Sequence, residues 1–154
     1  MKGVARCLLL AALVSWIESA TGEAGARSIA GRWKTVDDRT GRLHAVVRIV
    51  EQPGGFEGYV ERILQILPGD DPSGLCVRCE GRWKDQPVLG MKILWGLRRE
   101  GEEYVGGRIL DPNDGKIYSC KAKLLEGGEK LQIRGFLGIS LLGRTVVWLR
   151  EEGT

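Results

Sequence analysis

The sequence predicts an all-β protein: a single closed antiparallel up-and-down barrel of about eight strands. Three observations lead there. Apolar and polar residues alternate with a period of two along several runs of strand length. Between those runs, Gly, Pro, Asn and Asp recur wherever a reversal needs them. Most runs are joined by connections short enough to keep consecutive strands adjacent, and about eight such strands close into a barrel whose interior holds side chains or one small ligand.

The chain opens Met1-Lys2-Gly3-Val4-Ala5-Arg6 and continues as an almost wholly apolar run from Cys7 to Ile17. Two positive charges, a short apolar run and small residues beyond it make up a secretory signal peptide. The run is too short for a permanent span, which needs about 20 apolar residues. Ala24-Gly25-Ala26 supplies a small-x-small cleavage pattern, so residues 1–26 are expected to be the leader and 27–154 a single barrel domain, exported to the periplasm or beyond. The leader holds equal numbers of acidic and basic residues, so the net charge of +3 survives its removal. Both signs are interspersed, with no basic run or stripe of the kind a nucleic-acid binder carries, and no nucleic-acid partner is expected.

Strands are expected at Ile29–Val36, Leu43–Glu51, Phe56–Ile63, Val88–Arg98, Glu103–Leu110, Lys116–Leu124, Lys130–Phe136 and Arg144–Arg150. In the second, Leu43, Ala45, Val47 and Ile49 share one face; in the sixth, Tyr118, Cys120, Ala122 and Leu124 do. Glycines within strands mark bends at barrel corners, with Gly106-Gly107 the sharpest. Two connections are long. One, Leu64–Pro87, carries Cys76 and Cys79; the other, Leu137–Gly143, is apolar. Long connections are often functional or tied down. Leu137, Ile139, Leu141 and Leu142 are read either as a lip touching a membrane or protein, or as a plug across one end of the barrel.

Cys76-Val77-Arg78-Cys79 with Cys120 is the most chemical feature. In an oxidising compartment the simplest expectation is a disulfide from Cys120 to Cys76 or Cys79, closing a loop of roughly forty residues and leaving one thiol over. A redox Cys-x-x-Cys needs a helix N-terminus to lower its thiol pKa, and none is expected after Pro72. A zinc site needs a fourth ligand, and the lone histidine is on another strand. No metal or cofactor is therefore expected. The pairs Asp37-Asp38 and Asp70-Asp71 sit beside turns, where aspartate bonds its own backbone. His44 is the one side chain with an ordinary pKa near neutrality, and no nucleophile assembles around it. No catalytic residue is assigned.

Gly31-Arg32-Trp33 opens the first strand, and Arg144 and Arg150 flank Trp148 in the last. This resembles the lipocalin and calycin pattern, in which a Gly-x-Trp packs against an arginine from the last strand and closes one end of the cup. Gly31, Trp33, Arg144 and Arg150 are the barrel-closing set that the resemblance implies. Gly81-Arg82-Trp83-Lys84 repeats the tetrapeptide of Gly31–Lys34 but is followed by unrelated residues. More broadly, Gly31–Asp38, Gly90–Leu97, Gly106–Pro112, Gly115–Tyr118 and Arg134–Thr145, in that order, resemble the bacterial exported family catalogued as domain of unknown function 2147. That resemblance implies an envelope protein with a calycin-like barrel and implies no activity.

The expected function is thus a binding module, a barrel holding a small apolar or amphiphilic molecule such as a lipid. Trp33, Trp95, Tyr118 and Trp148 would supply aromatic contacts and Arg134 a polar one. Arginines inside strands, Arg48, Arg108 and Arg134, are expected mainly on the solvated face. The alternatives are a structural or partner-binding envelope protein with a filled core and, more remotely, a thiol-based enzyme. An outer-membrane barrel fits poorly, since the runs lack aromatic girdles.

Overall fold

Alternation produces the strands, and turn chemistry sets their ends. In the computed structural model, which describes residues 27–153, the strands are β1 (Gly31–Val36), β2 (Leu43–Gln52), β3 (Gly55–Ile63), β4 (Lys92–Glu100), β5 (Glu103–Asp111), β6 (Lys116–Leu125), β7 (Lys130–Phe136) and β8 (Arg144–Glu151). Each pairs antiparallel with the next, and β8 pairs with β1, so the sheet is a closed eight-stranded barrel. The expected leader, 1–26, lies outside the described residues. The largest boundary shift is at β4. Val88–Met91 belongs to a turn through Gly90, with Met91 N–H donating to Val88 O at 3.1 Å, before strand pairing begins at Lys92.

The expected inward faces are buried. Ala45, Val47 and Ile49 of β2 and Cys120 and Ala122 of β6 are all in the core. Val46, on the other face, is also wholly buried, flanked across the ladders by Lys34 and Arg62, both of which reach Glu151. Gly106 breaks the β5–β6 register between Tyr104 and Gly107, as a bulge at a barrel corner does.

One end of the barrel is sealed. Trp33, fully buried, donates its indole N–H to Ile29 O at 2.8 Å. The Arg150 guanidinium lies 4.2 Å from the Trp33 ring centre. It also donates to three carbonyls: Gly128 O at 2.5 Å, Ser28 O at 2.9 Å and Ala30 O at 3.3 Å. Gly31 makes room for it. Its φ is +133°, and a Cβ there would stand 2.9 Å from Arg150 Nη1. Arg144, expected at the same seal, sits at the opposite end, where it binds Asp38 with Nε 2.6 Å from Oδ2. Six residues of strand span about 20 Å, so one strand cannot bring both arginines to one rim.

The two copies of Gly-Arg-Trp-Lys adopt unrelated conformations, a strand at Gly31–Trp33 and a 3-10 turn at Gly81–Trp83. In the second, Trp83 stacks on Trp95 of β4 with ring centres 5.9 Å apart, and Arg82 caps the stack at 4.4 Å. This anchors the long β3–β4 connection to the barrel wall. Its other anchor is Arg78, which donates to Gly69 O at 3.0 Å and Asn113 O at 2.6 Å. The β5–β6 turn presses so close to it that any Cβ on Gly115 would overlap the Arg78 carbonyl.

The disulfide differs from expectation. Cys76 bonds Cys79 within the connection, Cα–Cα 5.3 Å, and Cys120 is a free, buried thiol. Cys120 points into the barrel, against Leu97 and Gly107, while Cys76 lies by Pro112 O just beyond the end of β5. Gly107 and Pro112 are five residues apart, about 16 Å of strand, so the two cysteines sit at different levels. Burial pushes the Cys120 thiol up to about 12.

Arg150→Met, which keeps the length but not the carbonyl bonds, costs roughly 2–4 kcal/mol of unfolding free energy in urea titrations. Gly31→Ala costs about 1–3 kcal/mol through strain and displacement of Arg150; an unchanged midpoint in both variants would refute the seal. In a chain starting at Arg27, no thiol reacts readily with an aromatic disulfide reagent in the native state at neutral pH. One per chain reacts after denaturation and three after denaturation with reductant.

Candidate functional site

Side-chain size divides the barrel. Toward the sealed end, the inward positions carry Trp33, Ile49, Phe56, Leu97, Tyr104 and Leu131, all buried. Phe56 and Tyr104 meet edge to face there, centroids 5.3 Å apart. Toward the other end, the inward positions are smaller: Thr35, Ala45, Val47, Val60, Ile133 and Val146. They leave a cavity of about 510 Å³, within the range usual for small-molecule sites. The barrel is therefore neither filled nor hollow throughout; it is a cup with a packed base.

The cavity walls are apolar, and its polar groups gather at the mouth: His44, Asp70, Asp71, Asp111, Asn113, Tyr118 and Arg144. His44 Nε2 lies 2.9 Å from Asp70 Oδ2, which also accepts from Leu67 N–H at 2.7 Å. Tyr118 donates its hydroxyl to Asp114; that bond and partial burial push the phenol up to about 12, so it stays neutral. The Arg144 guanidinium holds the Asp38 carboxyl below the usual range. Asp111 goes the other way: burial raises its pKa, assisted by nearby Asp114 and opposed by the bond from Asn113 N–H to Oδ1, 2.9 Å, and by Arg144 and His44.

The β7–β8 connection forms one lip. Arg134 holds it by donating to Ser140 O at 2.6 Å, Leu141 O at 3.0 Å and Thr145 Oγ1 at 2.9 Å. Leu137 and Leu142 line the mouth, while Ile139 and Leu141 project outward; all four are well exposed, Leu141 at 80%. Ile63 and Ile66, across the mouth, are also exposed.

Of the aromatic and basic residues expected to contact a ligand, Trp148 and Tyr118 line the cavity. Three do not. Trp33 is consumed by the seal, Trp95 by its stack on Trp83, and Arg134 by the lip it braces. Beside Trp95, Gly96 with φ +77° interrupts the regular pleat of β4. Arg48 and Arg108 are exposed on the outer face. Sequence reasoning considered His44 and Asp70 separately and missed Asp111, because the three come from β2, the long connection and the end of β5. Among the described residues, no three His, Cys, Asp or Glu side chains gather as metal donors would.

The raised Asp111 pKa has a definite sign in stability. The folded state holds that proton more tightly than the unfolded chain, so ionisation costs stability. The cost is absent well below the ordinary value of 3.8 and fully present once the pH exceeds the folded value. Asp111→Asn keeps the acceptor for Asn113 N–H and removes the charge. It is expected to unfold at higher urea than the parent at about pH 7, and the two midpoints converge near about pH 3. A variant less stable at neutral pH would contradict this reading of the mouth.

No curated protein matches the chain. A solved structure from the human pathogen Helicobacter pylori, of a protein described as belonging to the lipocalin family, is similar with a TM-score of 0.67 at 19% identity, covering 81% of this chain and 84% of that one. Identity at that level speaks for the fold alone. Residues 31–150 match the family described as an uncharacterized protein conserved in bacteria, domain of unknown function 2147. That match runs from the Gly31 of the seal to the Arg150 that lies on it, so the chain belongs to this bacterial family, and its barrel is lipocalin-like.

Proposed function

We propose that the protein binds a small apolar or amphiphilic molecule outside the cytoplasm, apolar end down in the cup and polar end at the mouth. The cavity carries this reading. It is mainly apolar along its walls, carries its charged groups at its rim, and is open at one end over a packed base. Burying an alkyl chain there gains about 0.8 kcal/mol per methylene. The Cys76–Cys79 bond and the leader-like residues 1–26 support export to an oxidising compartment. The exposed Leu137, Ile139, Leu141 and Leu142 beside the mouth suit transient contact with a membrane or a partner that delivers or receives the ligand. A thiol enzyme gains no support: thiol chemistry needs an accessible thiolate, whereas Cys120 is buried with a raised pKa and Cys76 and Cys79 are bonded and buried.

The test is titration with the neutral fluorophore N-phenyl-1-naphthylamine. The parent should enhance its emission saturably, and Ala45→Phe, which fills the cavity from β2, should weaken binding roughly tenfold or more. Arg48→Ala on the outer face should leave it unchanged. Equal affinity in Ala45→Phe would place the probe elsewhere and remove the proposal.

A further inference from the structure

The mouth of the cavity is signed, against the sign of the protein as a whole. The chain carries a net charge of +3, yet the cavity lining holds three carboxylates, Asp70, Asp71 and Asp111, and a single guanidinium, Arg144. That guanidinium is already matched by Asp38, which is not part of the lining. Each of the three accepts local hydrogen bonds through a single oxygen: Asp70 Oδ2 receives Leu67 N–H and faces His44, Asp71 Oδ1 receives Ser73 N–H at 2.9 Å together with the Ser73 hydroxyl, and Asp111 Oδ1 receives Asn113 N–H at 2.9 Å.

The second oxygen of each, Asp70 Oδ1, Asp71 Oδ2 and Asp111 Oδ2, has no hydrogen-bond partner among the described residues. Asp70 and Asp71 belong to the β3–β4 connection, whereas Asp111 is fixed by a strand, β5, on the cavity wall. It is drawn partly out of water at the end of β5, and its nearest acidic neighbour, Asp114, already holds the Tyr118 hydroxyl. A half-buried carboxylate with an unused oxygen on a cavity wall carries a standing desolvation cost. A cation removes that cost and an anion adds to it. Tyr118, Phe136 and Trp148 in the same lining add aromatic rings, whose π-systems attract a cation rather than an anion.

We infer that the cavity selects amphiphiles whose polar end is a protonated amine, set against Asp111 Oδ2 with the alkyl part in the cup. This rests on the reading of the cavity as a ligand site and adds the chemical class of the head group. It predicts discrimination against fatty-acid anions, for which the one lining guanidinium is already occupied.

The experiment uses three ligands with one tail: dodecylamine, dodecanol and dodecanoate, each below its micellar concentration, displacing N-phenyl-1-naphthylamine at neutral pH. The amine should bind roughly tenfold tighter than the alcohol, the worth of one charge-assisted hydrogen bond, and the carboxylate weakest. Asp111→Asn should bring the amine to the affinity of the alcohol, with a cooperative urea transition showing that the variant is folded, and Arg48→Ala on the outer face should leave the parent's amine preference unchanged. A carboxylate that binds as tightly as the amine, or an amine preference that survives Asp111→Asn, overturns the inference and leaves the cavity reading standing. Failure of all three ligands to displace the probe overturns both.

Discussion

The contact of Arg150 with Trp33 is the constraint on which the rest of the molecule depends. A sheet of eight strands that does not meet itself has two edges with unpaired backbone groups. Here the first and last strands join through only three paired positions, Arg32 with Glu151, Trp33 with Arg150 and Lys34 with Leu149. The seam is short, so side chains reinforce it. Arg150 sits on the indole from one side and ties down the carbonyls of Ser28, Ala30 and Gly128, which belong to the segment before β1 and to the β6–β7 turn. Burial works against the guanidinium and lowers its pKa; the carbonyls it meets supply the compensation. Its seam partners are more than a hundred residues apart in sequence, whereas every other strand pairs with its immediate neighbour. The seam is therefore the contact with the largest loop-closure cost.

The packed base and the empty upper half follow from where the large residues fall. A core filled to both ends would have no site, and a barrel empty to both ends would lose the buried area that stabilises so small a domain. The division falls within single strands. On β2, Ile49 is in the packed half while Val47 and Ala45 face the cavity; on β6, Cys120 and Ala122 are packed while Tyr118 faces the cavity; on β7, Leu131 is packed and Ile133 is not. The long β3–β4 connection then builds part of the mouth, held to the wall by the Trp83–Trp95 stack and to the β5–β6 turn by Arg78.

The fold was legible in the sequence because its determinants are local. Period-two alternation and turn residues placed most strand boundaries within one or two positions, and the ring was foreshadowed by Gly31-Arg32-Trp33 and Arg150. The site was less legible because it is assembled across strands. Which of two arginines on β8 reaches the seal depends on which end of the strand is which, and alternation is blind to that. The cysteine pairing depends on the level at which the long connection meets the barrel, by Pro112 rather than by Gly107, and spacing along the chain does not reveal levels. Trp95 is taken up by Trp83, which arrives from the long connection, a partnership that nothing local to β4 announces. The cavity walls are ordinary small apolar residues, informative only once the barrel shows that they face one another.

A cup with a solid floor has a single doorway. A tailed ligand of the kind proposed would have to back out along the path it took, and the deepest part of its tail would stay out of water until late in the withdrawal. Each further methylene in that tail would add about 0.8 kcal/mol to the climb, close to a fourfold lengthening of residence time. Departure into bulk water would be slow for long tails on that account alone. The exposed leucines around the doorway would shorten the climb wherever they lay against another apolar surface, because the tail would then pass from one oily environment to the next without crossing water.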